Sequence, residues 1–133
     1  MEKTGRDRRL SPRFSASLPC SVSLPAEDED LLFPQAKLTG RTRDISESGL
    51  GLIVPSIYIG FACIVDEGRT LDTVLELPTG VVELQMTAVH YIRLDEQGQD
   101  AAYLIGARIT NISEADRARY LAYLAGLDKS DQT

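Results

Sequence analysis

From Phe14 onward, apolar and polar residues alternate or gather into short β-rich runs bounded by Gly, Pro, Asp and Ser, the pattern of strands with one face buried. This periodicity predicts strands near Phe14 to Leu24, Gln35 to Ile45, Gly49 to Val54, Thr73 to Leu77, Val81 to Leu94 and Ala101 to Ile112. Pro78-Thr79-Gly80 separates two alternating runs and Asp95 to Asp100 separates the last long pair, so both predict hairpin connections. Glu27 to Asp30 reads as a solvated acidic loop, because it lacks the spaced ligands of a calcium loop. Residues 55–71 keep no steady period and are read as an irregular connection with a turn at Asp66 to Arg69. Six strands of these lengths fit a small closed antiparallel barrel, since closure removes the exposed edges an open sheet must protect.

The period changes after Ser113. Tyr120, Leu121, Leu124 and Leu127 form a helical stripe, and Ser113 with Asp116 three positions on resembles a capping box with Asp in place of Glu. Gly126 is the expected stop, and Asp128 to Thr133 the polar tail beyond it. The stripe is expected to pack on the barrel, with a homodimer contact as the alternative. The chain thus divides into an Arg-rich arm over residues 1–13, a barrel with its helix over 14–127, and a tail over 128–133.

Composition narrows the function classes. At 133 residues with 43% hydrophobic positions, the chain suits one domain with one modest core. Its apolar runs fall far short of the roughly 18 residues of a membrane span, and no apolar stretch follows the basic start, so no membrane insertion and a cytoplasmic location are expected. Cys20 and Cys63 have neither metal spacing nor disulfide density, and read as small apolar residues. A net charge of -6 argues against general affinity for nucleic acid. That average hides an asymmetry: residues 1–13 hold five cations against two anions, +3, leaving -9 for the rest. Eleven of the fourteen basic residues are Arg, the side chain whose planar fork bonds phosphate and the O6/N7 edge of guanine bidentately.

Catalysis finds little support. The single His, His90, lies inside a strand pattern, where a structural or surface role is expected, and no nucleophile and base pair stands out. Neither cysteine is near His90 in sequence to make a zinc site, and no phosphate-cradling GxxxxGKS or GxGxxG turn is present. The reading is a binding module and not an enzyme, with no metal and no resident cofactor.

Two short patterns remain. Arg9 and Arg13 have RxxxR spacing with Arg8 immediately before, and Asp44, Ser46 and Gly49 have DxSxxG spacing. Taken separately, the first could be a basic tail, and the second a β-turn in which Asp and Ser bond backbone amides and Gly supplies a positive φ. Their order, their separation of about thirty residues and the strands that follow each make them one candidate site.

Together they resemble the PilZ domain family, whose ligand is cyclic di-GMP. RRLSPRF leads into the first strand, RDISESGLGL occupies the second and third, and YLIGARITNIS followed by a helix is similar to the family's closing elements. The least typical part is Pro55 to Leu71. The resemblance implies a six-stranded antiparallel β-barrel with a C-terminal helix. It also implies that Arg9 and Arg13 bind guanine edges and phosphates, that Asp44 accepts from guanine N–H groups or holds an Arg, that Ser46 bonds the same edge, and that Gly49 lets the backbone approach the ligand. Arg8 in the preceding position implies two stacked ligand molecules per protomer. The implied mechanism is ordering of the arm around the ligand, read by a downstream protein partner. The rival from another class is a PilZ-fold interaction adaptor that binds no nucleotide. A nucleic-acid-binding barrel fits less well, because the chain has no Trp for a stacking platform and its basic residues concentrate in the arm.

Overall fold

The computed structural model describes residues 12–26, 36–94 and 102–131. Arg8, Arg9, the acidic run Glu27 to Asp30 and the connection Asp95 to Asp100 lie outside them. Among the described residues the elements run β1 (Phe14–Ser15), β2 (Pro19–Ser23), β3 (Lys37–Ile45), β4 (Gly49–Val54), β5 (Tyr58–Ile59), β6 (Ala62–Cys63), β7 (Leu71–Leu77), β8 (Gly80–Leu94), β9 (Ala102–Ile112) and α1 (Glu114–Asp131).

Neighbours pair in the order β3, β2, β7, β8, β9, β4, and β4 returns to β3, so six antiparallel strands close into a barrel with no free long edge. Inward positions are apolar: Val22, Leu50, Leu52, Leu71, Leu75, Val82 and Ile105 are essentially sealed from solvent. Truncating one such Leu to Ala typically costs about 2–5 kcal/mol, the loss of transfer energy plus the cavity left behind.

The expected first strand is two pieces. Thr42 of β3 is buried and its hydroxyl intervenes, donating to the Ala16 carbonyl and accepting from Leu18 N–H at 2.9 Å, so the chain between β1 and β2 is tied to β3 by a side chain as well as by the backbone bonds of Ala16 and Leu18. The Pro78-Thr79 turn closes β7 onto β8 with Leu77 opposite Gly80, whose φ of 142° an L side chain rarely adopts.

Residues 55–71 are more ordered than their sequence suggests. β5 and β6 form a two-stranded sheet turned at Gly60, and this segment sends Ile59 and Ile64 into the core. The Asp66 to Arg69 turn is present, closed by Arg69 N–H to the Asp66 carbonyl at 3.2 Å.

The helix departs from expectation at both ends. Ser113 caps it, its Oγ accepting from Asp116 N–H at 3.1 Å, but the Asp116 carboxylate accepts from Glu83 N–H at 3.1 Å and so ties the first turn to β8. Gly126 does not stop the helix, which runs on to Asp131. A lone Gly inside a helix costs only about 1 kcal/mol relative to Ala, and α1 already has Tyr120 and Leu124 buried against the barrel to offset it. No helix among the described residues is long and apolar enough to cross a membrane.

Candidate functional site

The turn between β3 and β4 is held from three sides. Ser46 is buried, and its Oγ accepts from Gly49 N–H at 3.1 Å and reaches the Gly49 carbonyl at 3.3 Å, while Ser46 N–H donates to that same carbonyl at 2.9 Å. From β9, Ile109 N–H donates to the Ser48 carbonyl at 2.9 Å. From α1, Tyr120 Oη–H donates to the Ser46 carbonyl at 2.5 Å, and Arg117 pairs with Glu47 at 3.3 Å. Burial pushes the Tyr120 phenol well above its ordinary pKa, so it stays protonated and able to donate.

Gly49 is required for a reason other than the expected one. It does not have a positive φ; instead, a Cβ there would meet the Ala107 carbonyl oxygen of β9 at 2.5 Å. Gly49 and Ser46 thus fix the turn against neighbouring strands. Of the three motif residues, Asp44 is the one that lines the adjoining groove.

Two bulges build that groove. In β3, Thr42 and Ile45 both face the core, an interval of three that strict alternation forbids. A register shift between Thr42 and Asp44 absorbs the extra residue, and both Arg43 and Asp44 turn outward. In β8, Leu84 and Met86 point inward, and continued alternation would send His90 the same way. A second shift between Ala88 and His90 puts His90 on the outer face instead.

The bulges leave Asp44, Gly51, Gly106 and His90 directly opposite one another across β3, β4, β9 and β8. Three inter-strand steps separate Asp44 from His90, roughly 14 Å between backbones. The two glycines form a floor with no side chains. A Cβ on Gly51 would meet Asp44 Oδ1 at 2.8 Å, and a Cβ on Gly106 would meet His90 Cε1 and Nε2 at 2.5 Å, so the two flanking side chains fold over the glycines from opposite ends.

The groove has a volume of about 180 Å³ and is lined by Arg13, Arg43, Asp44, Gly51, His90, Leu104 and Gly106. Arg13 Nη1 pairs with Asp44 Oδ1 at 2.6 Å and Arg43 Nε with Asp44 Oδ2 at 3.2 Å. One carboxylate thus orients two guanidinium groups, leaving a local charge of +1 on a chain of -6. Each guanidinium has five N–H donors, more than Asp44 can occupy, so the arrangement can receive a planar anion with acceptor edges. A larger recess, about 420 Å³, opens between β2, β7, β8 and β9. Its lining holds Asp72 and Glu83 and, among the described residues, no Arg, Lys or His, which disfavours an anion there.

The structure therefore brings Arg13 and Asp44 into contact, 31 residues apart in sequence, and places Ser46 and Gly49 behind them as supports. The sequence reading missed Arg43, His90, Gly51 and Gly106. A Gly inside a strand pattern often marks a close approach, and Gly51 and Gly106 carried that signal; nothing local announced the bulge that aims His90.

The sequence model described as PilZ domain matches residues 7–126. Among solved structures, MrkH of K. pneumoniae in its apo state is similar with a TM-score of 0.71 at 17% identity, over 98% of this chain and 55% of that one. The PilZ domain of YcgR from Escherichia coli with c-di-GMP gives 0.65 at 16% identity, over 94% and 95%. The inhibitor of motility MotI of Bacillus subtilis gives 0.60 at 16% identity, over 87% and 48%. At these identities the likeness shows the shared fold, and the chain spans about half the length of MrkH and MotI. No curated protein matches the sequence.

Proposed function

The chain belongs to the PilZ domain family, and from that membership we propose that it is a cytoplasmic receptor for cyclic di-GMP which binds the dinucleotide without transforming it. The observation that carries the reading is the Arg13–Asp44 pair at 2.6 Å, which joins the RxxxR and DxSxxG patterns at the rim of one glycine-floored groove. Similar structures include the YcgR PilZ domain with c-di-GMP and the MrkH–c-di-GMP complex.

The chemistry fits the ligand. Cyclic di-GMP presents two phosphodiesters and two guanine O6/N7 edges, all acceptors, which the guanidinium donors of Arg13 and Arg43 match. The Asp44 carboxylate can hold those cations in place and accept from guanine N1 or N2 groups. The groove is smaller than the roughly 300–1,000 Å³ of a site that encloses a drug-sized ligand. It suits one flat base, and the rest of the ligand is assigned to Arg8 and Arg9, which the sequence places just before Arg13. In this reading residues 1–13, rich in Arg and poor in apolar side chains, order around the ligand, and the altered surface signals to a protein partner. Arg8 beside the RxxxR pattern supports two ligand molecules per protomer.

Calorimetric titration with cyclic di-GMP tests the receptor, with Arg9→Ala and Arg13→Ala as controls. The expected result is saturable binding at two ligands per chain, weakened about tenfold to more than a hundredfold by either substitution, the equivalent of about 1–3 kcal/mol for a bidentate contact. Absence of binding by the native chain would leave the adaptor reading in its place, and a stoichiometry of one would retire the paired-ligand reading alone.

A further inference from the structure

The His90 imidazole lines the groove from the end opposite the Arg13–Asp44 pair, lying over Gly106 while Asp44 lies over Gly51. Its place depends on one bulge. Without the register shift at Val89, alternation would put it on the same face as Met86 and Ala88 and not in the groove. The ring is also exposed, so a ligand entering the groove would meet it directly.

We propose that His90 is a ligand-contacting residue of this site and that its protonation makes anion binding strengthen as pH falls. The inference rests on the receptor reading above and specifies its regulation. The charged groups that line the groove with His90 are Arg13 from the segment before β1, and Arg43 and Asp44 from β3. β4 and β9 contribute Gly51, Leu104 and Gly106, which carry no charge. On its own strand His90 is flanked by Val89 and Tyr91, with Arg93 three positions on.

A neutral imidazole gives the groove one donor and one acceptor, whereas the imidazolium gives two donors and a second net positive charge facing an anion. His is the side chain whose ordinary charge change falls between about pH 5 and 8, and this chain has only one. Guanine, phosphodiester and guanidinium groups all keep their charge across that window. A change in affinity there that His90→Gln abolishes can therefore be traced to a single ring. An anion favours the charged form of the ring by linkage, so affinity rises as pH is lowered.

The test is titration of the native chain and of His90→Gln with cyclic di-GMP between about pH 5.5 and 8. In parallel, NMR of the His90 Cε1 proton would follow its titration with and without ligand. The native chain should bind about threefold to tenfold more tightly at the acid end, the scale of one added charge a few ångströms from an anion in a partly hydrated groove. His90→Gln should bind with a flat profile, and the His90 titration should move to higher pH with ligand bound. Binding by the native chain with no pH dependence, or a His90 titration that ligand leaves in place, overturns the role of His90 while the receptor reading stands. No binding at either pH overturns both.

Discussion

Tyr120 of α1 donates its phenolic hydrogen to the backbone carbonyl of Ser46, 74 residues earlier and inside the DxSxxG turn, at 2.5 Å. Both groups are buried, so neither has water as a substitute, and the bond couples the helix to the turn that follows Asp44. Replacing Tyr120 with Phe leaves the ring's packing intact but strands the carbonyl, and unfolding by denaturant should show a loss of about 1–3 kcal/mol. Cyclic di-GMP affinity should fall with it, because the turn that aims Asp44 loses one of its three anchors. Unchanged affinity in a destabilised Tyr120→Phe variant would mean the turn is held by its other bonds alone.

Two glycines of similar appearance should respond differently to Ala. At Gly49 the new methyl meets a backbone carbonyl, that of Ala107, and backbone cannot step aside. Gly49→Ala should therefore lower thermal stability by about 1–3 kcal/mol, as overpacking does. At Gly106 the methyl meets the end of the His90 side chain, which can swing away. Gly106→Ala should melt near the native temperature yet bind cyclic di-GMP more weakly, since the floor is filled and His90 displaced. Calorimetry of unfolding and of binding on the two variants separates the outcomes.

The Arg13–Asp44 pair should matter more for binding than for folding. Both side chains retain exposure, 31% and 15%, and a pair so placed contributes about 0–1 kcal/mol to stability. Its use is orientation. Asp44→Asn and Arg13→Ala should each weaken cyclic di-GMP binding, and the double variant should lose less than the sum, because a guanidinium with no carboxylate to hold it is already misplaced. Fully additive losses in that cycle would show that the two residues act independently.

Stability should decline on the alkaline side before most surface groups matter. Burial is the main reason the Cys20 thiol is pushed up to about 11; Arg41 opposes the shift and Glu76 adds to it. An unfolded thiol ionises near 9.0, so the unfolded chain releases this proton first. The contribution is complete below about pH 9 and is lost as pH rises to about 11, on the order of 2 kcal/mol. Denaturant unfolding of the native chain and Cys20→Ala across that range should show the steeper decline in the native chain.

Much of this protein is local and was legible in its residues. Alternation marked six strands, Pro78 and Gly80 marked a hairpin, and Ser113 marked the start of a helix, because each signal lies within a few positions of the structure it specifies. The spacing of Arg9, Arg13, Asp44, Ser46 and Gly49 also fixed the family to expect. Tertiary structure alone decided what each of the described motif residues does. Ser46 and Gly49 brace the turn because β9 and α1 approach it, and Asp44 reaches Arg13 because β1 pairs with β3. Asp44 and His90 share the groove face because a single added residue in each of two strands reverses which face follows. A bulge leaves almost no mark in the sequence: its cause is the register against a partner strand, and that register exists only once the strands have paired.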